Sequence, residues 1–130
     1  MRLLLDTHVL FWAFTEPERI PSDTRTMIAD ANNEIVVSAI TPLELATKER
    51  IGRLPKAKPI LLAYDDYLRR FGATELQLTG HHGLIAGSLA WDNRDPFDRI
   101  IAAQAISESI ALVTADSSFG SLGAVRTVWH

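Results

Sequence analysis

Short runs of apolar residues recur along the chain, and they lack the strict apolar–polar alternation of a strand with one exposed face. Continuous apolar runs of this length are typical of strands that are buried on both faces, as in a parallel sheet. The predicted strands are Leu3–Leu5, Glu34–Ser38, Glu75–Leu78, Ala111–Thr114 and Val125–Trp129.

Helical patterns separate these runs, and several carry end signals. Ser22 is predicted to cap one helix, and Gly52 and Gly72 are predicted to stop two others. The predicted helices are Val9–Thr15, Ser22–Asn32, Thr41–Ile51, Pro59–Phe71, His81–Ala90 and Asp95–Ser109. Strands that alternate with helices predict an α/β protein, a sandwich with a mostly parallel central sheet. A chain of 130 residues has the length of one domain, so residues 1–130 are predicted to form a single domain.

Composition excludes several kinds of function. The chain has no cysteine, so it has no disulfide framework, thiol nucleophile or cysteine-ligated metal. Its net charge of −3 argues against nucleic-acid binding by bulk positive charge. No apolar stretch has the length of a membrane span, and Asp6 interrupts the apolar start of the chain before a signal peptide could form. We therefore expect a cytoplasmic protein.

Four acids fall at strand ends or in the first turns of helices, where sites form in parallel α/β sheets. Asp6 follows the first strand, and Asp116 follows the fourth. Glu44 and Asp98 lie in the first turns of two predicted helices. Each acid alone also fits a structural role, such as an N-cap at Asp6, a capping box between Thr41 and Glu44, or a turn at Asp116.

Together the four acids suggest a metal site. Carboxylates that share one cleft repel each other, and bound cations relieve that repulsion. Oxygen ligands without cysteine select hard ions such as Mg²⁺ or Mn²⁺. A cluster of this kind is a common device for metal-assisted hydrolysis of phosphodiesters.

Four stretches carry a resemblance that covers essentially the whole chain, in order and with matching spacing. They are Leu4–Leu10, Ser38–Leu45, Asp95–Ala105 and Leu112–Phe119, of which Asp95–Ala105 is the most specific. With these stretches the sequence resembles PIN-domain ribonucleases, and within them the VapC-type toxins of bacterial type II toxin–antitoxin pairs. The resemblance implies a three-layer α/β/α domain with a five-stranded parallel sheet. It also implies RNA cleavage that depends on Mg²⁺ or Mn²⁺, a cognate antitoxin and a homodimer.

The resemblance also assigns roles to residues. It implies that the metal-binding and catalytic acids are Asp6, Glu44, Asp98 and Asp116. It places supporting hydroxyl groups at Thr7, Ser38 and Thr114. Asp95, which precedes Pro96, is assigned as the helix cap. One position departs from the pattern, because Asn93 stands where close relatives commonly have a histidine.

Basic residues follow the second acid in a cluster that includes Lys48, Arg50 and Arg53. They could contact the RNA backbone beside the metal site, or they could be a solvated helix end. Arg99, next to Asp98, could contact phosphate or could balance charge on its own helix.

Aromatic residues and histidines give weaker signals. The helix that contains Val9–Phe14 is apolar nearly all round, so it buries two faces, of which the second could be covered by the Ser22 helix or by a partner protein. His81 and His82 are predicted to form a surface turn, since neighbouring residues on a helix do not share a face. Trp91 and Trp129 could stack on bases, although packing is the favoured role of Trp129.

Three alternatives to the toxin remain open. A phosphatase or receiver domain would use Asp6 as an acceptor of phosphate, but a haloacid-dehalogenase-type enzyme would carry a second Asp where His8 stands. The chain could be a solitary PIN-domain nuclease without an antitoxin. It could also be a partner-binding module with a degenerate site, although all four acids are present.

Overall fold

The computed structural model describes residues 1–130 and contains a five-stranded sheet in which all neighbouring strands are parallel. The strand order is β3-β2-β1-β4-β5. The strands are β1 (Arg2–Leu5), β2 (Glu34–Ser38), β3 (Ala73–Leu76), β4 (Ala111–Val113) and β5 (Thr127–Val128). The prediction of a mostly parallel central sheet is therefore confirmed.

Seven α-helices connect and cover the strands. They are α1 (Thr7–Thr15), α2 (Ser22–Ala29), α3 (Thr41–Arg50), α4 (Lys58–Leu62), α5 (Tyr64–Phe71), α6 (Gly80–Ser88) and α7 (Pro96–Glu108). Short 3₁₀ helices lie at Pro17–Arg19, Pro55–Ala57 and Ser117–Ser121. None of the helices has the length and apolar character needed to cross a membrane.

The central strand β1 supplies both cores of the three-layer structure. Leu3 and Leu5 belong to a cluster with α1 on one face of the sheet, whereas Leu4 belongs to a second cluster with α7 on the other face. All three leucines have no exposed surface. Alternate residues of a strand point to opposite faces, so a strand buried on both faces needs an unbroken apolar run. That requirement explains the sequence pattern of β1.

Helix α1 buries two faces, as predicted. Val9 and Leu10 pack in the sheet core, and Phe11 packs in a separate cluster with Leu45 and Ile60. The second face is therefore covered by α3 and α4 rather than by the helix that begins at Ser22.

Several predicted boundaries are wrong. The third strand is Ala73–Leu76 rather than Glu75–Leu78, because Gly72 has a φ of +75° and turns the chain straight from α5 into the strand. The predicted helix Pro59–Phe71 is two helices separated at Ala63, whose extended φ of −139° breaks the helical path. The fifth strand is shorter than predicted, at Thr127–Val128.

Two predicted caps are also wrong. Ser22 is the first residue of α2 and Pro21 is its N-cap, and the helix ends at Ala29 rather than at Asn32. Thr41 is the first residue of α3, with Ile40 as N-cap and no side-chain hydrogen bond at the cap. A serine or threonine can cap a helix only from an extended backbone outside its first turn. The cap at Asp95, by contrast, is confirmed.

Candidate active site

The four predicted acids line one cleft at the carboxyl end of the sheet. The cleft has a volume of about 400 Å³, and its walls also include His8, Trp12, Lys48, Asp95 and Ala115. Asp6 directly follows β1, and Asp116 lies three residues beyond Val113, the end of β4. Glu44 and Asp98 come from the first turns of α3 and α7. The parallel sheet thus brings together acids from distant parts of the chain, as expected for this class of fold.

Asp6 is the most firmly held of the four acids. One carboxylate oxygen accepts a hydrogen bond from the Thr7 amide at 2.8 Å, and the other accepts one from the Thr114 hydroxyl at 2.8 Å. The Thr114 hydroxyl in turn accepts a hydrogen bond from the Asp116 amide at 3.0 Å. Thr114 therefore links the acid after β1 to the loop that carries the acid after β4.

The other two predicted hydroxyl groups form no hydrogen bond with the acids. Thr7 contributes its backbone amide to Asp6, but its hydroxyl is buried without a hydrogen-bond partner. The Ser38 hydroxyl accepts a hydrogen bond from the Ile40 amide at 3.1 Å. That bond stabilises the turn between β2 and α3, and so it fixes where α3 begins.

Glu44 is buried and has a single partner. Its Oε2 lies 2.6 Å from the Lys48 Nζ, one helical turn later, and its Oε1 has no hydrogen-bond partner. The predicted capping box with Thr41 is therefore wrong, because the Glu44 side chain points into the cleft and not back to the start of the helix. A buried carboxylate oxygen without a donor is rare in proteins and calls for an explanation, such as an ion.

Asp98 is held by the residue that departs from the family pattern. Asn93 donates from Nδ2 to the Asp98 Oδ2 at 2.9 Å, and its Oδ1 accepts from the Asp95 amide at 2.8 Å. Asp95 accepts hydrogen bonds from the amides of Phe97 and Asp98 at the start of α7. Asn93 thus connects the cap of α7 to the acid in its first turn.

The electrostatics of the cleft follow from burial and mutual repulsion. Burial raises the pKa of Asp6 to about 6; the Thr114 hydrogen bond opposes this rise, and the charges of Glu44 and Asp116 add to it. Burial also raises the pKa of Asp98 to about 6, against the hydrogen bond from Asn93 and with the charge of Asp95. The acids are therefore close enough to disfavour each other's ionisation, and a cation would relieve the repulsion.

Burial also lowers the pKa of His8, which lies beside these acids, and the positive charge of Lys48 lowers it further. The neutral form of the imidazole is therefore favoured next to the carboxylates. His8 lies 5.8 Å from the Trp12 ring, centroid to centroid, in a tilted contact.

The donor set fits a hard divalent cation. All of the acidic side chains in the cleft offer oxygen, and Glu44 has a buried oxygen without a partner. No three acids or histidines are drawn together as a ready-made ligand cluster. Instead the Lys48 ammonium supplies the positive charge beside Glu44.

The three basic residues predicted to bind RNA lie in three different places. Lys48 lies in the cleft, and Arg53 lies in an adjoining groove, while Arg50 is exposed at the end of α3.

The phosphate contact considered for Arg99 has no support in the structure. Its guanidinium donates four hydrogen bonds of 2.7–3.0 Å to backbone carbonyl oxygens, which belong to Ala86, Leu89, Trp91 and Asn93. Arg99 thus stabilises the chain before α7, including the loop that carries Asn93.

The predicted surface turn at His81 and His82 is wrong. Both residues lie in α6, and His82 is only 2% exposed. Its Nδ1 accepts from the Thr79 amide, and its Nε2 lies 3.3 Å from a carboxylate oxygen of Glu108. The ring therefore closes the start of α6 and connects that helix to α7.

The two tryptophans considered for base stacking are engaged in packing. Trp91 lies against Phe119 and donates to the Ser121 hydroxyl, and Trp129 lies 6.1 Å from Trp12, centroid to centroid.

Sequence reasoning missed the roles of Asn93 and of the Lys48–Glu44 pair. The spacing of four residues between Glu44 and Lys48 on a helix is the signal that could have indicated the pair.

The chain belongs to the PIN domain family, whose model matches residues 3–125. Among characterised proteins it is similar to "Ribonuclease VapC22" of Mycobacterium tuberculosis, at 33% identity over 98% of both chains. It is also 33% identical to "Ribonuclease VapC16" of the same organism over 47% of this chain and 43% of that protein.

Solved structures share the fold at lower identity. The structure of VapBC2 from Rickettsia felis, bound to a DNA fragment from their promoter, matches with a TM-score of 0.75 and 21% identity, over the full length of both chains. The structure of FitAcB from Neisseria gonorrhoeae matches with a TM-score of 0.68 and 21% identity, over 96% of this chain and 95% of the other. At such identity the likeness concerns the fold alone.

Proposed function

We infer that residues 1–130 act as one domain and form a metal-dependent endoribonuclease, the toxin of a toxin–antitoxin pair that works in the cytoplasm. The observation that carries this inference is the single cleft into which a PIN domain brings Asp6, Glu44, Asp98 and Asp116. Full-length similarity to a protein named as a ribonuclease gives the reaction class. We propose water as the attacking group, and the cleft residues include no cysteine or serine that would compete with it as a nucleophile.

The acids are proposed to hold Mg²⁺ or Mn²⁺, with Asp6, Glu44, Asp98 and the more exposed Asp116 as ligands. A bound divalent ion would polarise the phosphodiester and lower the pKa of an attacking water. The chain positions these ligands in advance: Thr7 and Thr114 hold Asp6, and Asn93 holds Asp98.

Lys48 is the one cation that lines the cleft beside the acids. Its ammonium lies 2.6 Å from the Glu44 Oε2 and offsets the charge of that carboxylate. If Glu44 held a divalent ion, the Lys48 ammonium would be free to contact a phosphate at the same wall of the cleft. Lys48 is in this way proposed as a ligand of the RNA backbone.

An antitoxin partner is proposed from the structural neighbours, one of which is described as a toxin–antitoxin complex from Klebsiella pneumoniae. The simplest test is growth. Induced expression of the chain should arrest cells, and co-expression of a small reading frame adjacent to its gene, which would encode the antitoxin, should relieve the arrest. A chain that arrests growth without any gene that relieves it would instead be a solitary nuclease.

Cleavage assays with purified variants test the reaction. Glu44→Gln and Asp98→Asn are expected to lose RNA cleavage in Mg²⁺ or Mn²⁺ while they keep the fold, measured by circular dichroism. Asp23→Asn, an exposed acid on α2, is the matched control and should cleave as the parent does. Full activity of Asp6→Asn in nuclease-free preparations would contradict the mechanism.

Titration calorimetry with Mn²⁺ addresses the binding-module alternative, which predicts no heat of binding.

A further inference from the structure

A second groove opens beside the acid cleft and shares the side chains of His8 and Trp12 with it. Its volume is about 420 Å³. One wall is α1 with the 3₁₀ helix Pro17–Arg19, and the other is formed by residues 53–56 after α3. We call it the basic groove, and its polar lining consists of His8, Glu16, Arg19, Arg53 and Lys56.

The groove has an excess of positive charge. Its three cations face one carboxylate, Glu16, which lies 3.7 Å from Arg19 and 3.9 Å from Lys56. Arg53 is exposed and makes no ion pair. The lysine and arginine side chains remain largely open to solvent, so one or two more anions could bind without displacing the internal pairs. The acid cleft, in contrast, is negative before it binds a cation.

The groove also carries a cation–π contact. The Arg19 guanidinium lies 4.8 Å above the centre of the Trp12 ring. The Trp12 ring is half-buried in the core, where it also contacts Trp129. The contact with the ring restrains the guanidinium, and Arg19 is exposed, so its solvent-facing side is open to a second planar group. Bases of single-stranded RNA stack on such guanidinium planes as well as on aromatic rings.

We propose that the basic groove binds the single-stranded RNA immediately beside the cleaved phosphate. The RNA backbone leaves the acid cleft past His8, its next phosphates pair with Arg53 and Lys56, and one base stacks on the Arg19–Trp12 pair. This proposal rests on the proposed ribonuclease function and adds a binding subsite to it. Continuity with the acid cleft favours RNA over the other occupant that would fit, an acidic segment of a partner protein, because the shared wall leads directly to the acids.

Binding is measured with a fluorescein-labelled single-stranded RNA of mixed sequence, by anisotropy, in the cleavage-dead background Asp98→Asn. The double variant Arg53→Ala/Lys56→Ala should lose about tenfold or more in affinity. Two lost phosphate contacts should also reduce the slope of log K against log salt by about 1.4. Arg126→Ala is the matched control, because Arg126 is exposed and precedes β5, at the amino end of the strands and away from the acid cleft. Its affinity should stay at the parental value.

The stacking contact is tested separately with Arg19→Lys, which keeps the charge but removes the plane. This variant should bind the RNA several-fold more weakly with an unchanged salt slope. In proteins that are otherwise unaltered, the groove variants should raise KM for RNA cleavage and leave kcat within about twofold, because they do not touch the acids.

Three results separate the possibilities. Unchanged RNA affinity in Arg53→Ala/Lys56→Ala would overturn the subsite while leaving the nuclease intact. Unchanged RNA affinity together with weaker capture of the co-expressed antitoxin would assign the groove to that partner and would also overturn the proposal. Absence of any RNA cleavage by the parent protein with Mg²⁺ or Mn²⁺ would instead show the failure of the proposed function itself.

Discussion

Replacement of Asp6 by Asn should make the metal-free protein more stable at neutral pH. The Asp6 carboxyl is 6% exposed, and its pKa is raised from 3.8 to about 6 in the folded state. Between these two values the folded state binds more protons than the unfolded state, so stability falls as the pH rises. The difference corresponds to about 3 kcal/mol once both states are ionised. An amide at this position does not ionise and avoids that loss.

The assay is urea denaturation in EDTA at about pH 4 and about pH 8, where the Asp6 carboxyl passes from protonated to ionised. The gap in unfolding free energy between Asp6→Asn and the parent should grow by about 2.5 kcal/mol from the lower to the higher pH, because the unfolded carboxyl is already partly ionised at about pH 4. The exposed control Asp23→Asn should show no such growth. Saturating Mn²⁺ should then reverse the order at the higher pH, because only the parent retains the full set of charged ligands. A gap that is the same at both pH values would refute the reasoning.

Three further predictions concern residues around the cleft and the sheet. Lys48→Met leaves the Glu44 carboxylate buried without a partner, so thermal unfolding in EDTA should show a loss of about 3 kcal/mol that added Mn²⁺ restores; an unchanged midpoint in EDTA would show that Lys48 does not stabilise Glu44. Arg99→Lys cannot reproduce four bonds from one planar group, so urea unfolding should show a loss of about 3 kcal/mol and Mn²⁺ titration a weaker affinity; parental values would contradict a positioning role. Gly72→Ala should cost about 1 kcal/mol in the same urea assay because of its positive φ, and an unchanged midpoint would exclude strain there.

The sheet could be predicted from the sequence because buried parallel strands need apolar side chains on both faces. The runs at β1, β2 and β4 therefore stand out from the helical patterns around them. The third strand was misplaced by two residues because it lies at the edge of the sheet, and Thr74 and Glu75 are exposed. An edge strand needs no unbroken apolar run, so the pattern that located the inner strands carried little information there.

The contacts that side chains make could be predicted less well from the sequence than the positions of the residues on helices and strands. The sequence placed Asp98 and Arg99 next to each other, but on α7 they point in different directions, one into the cleft and the other to the carbonyl oxygens before the helix. The buried ring of His82 lies 3.3 Å from a carboxylate oxygen of Glu108, which is 26 residues away in the sequence. Contacts of this kind depend on how α6 packs on α7, and no local pattern encodes that packing.

The four acids were open to two interpretations, as helix caps or as metal ligands, and the structure shows that these roles are compatible. Asp6 caps α1 and Asp116 caps the 3₁₀ helix Ser117–Ser121, and each accepts an amide hydrogen bond while it lines the cleft. Helix N-termini stabilise negative charge, so a cap keeps its carboxylate available to a cation. Glu44 lacks such a cap bond and has Lys48 instead. The helix starts thus help to hold several carboxylates in one cleft. The net charge of −3 of the whole chain therefore says little about whether the chain can bind RNA.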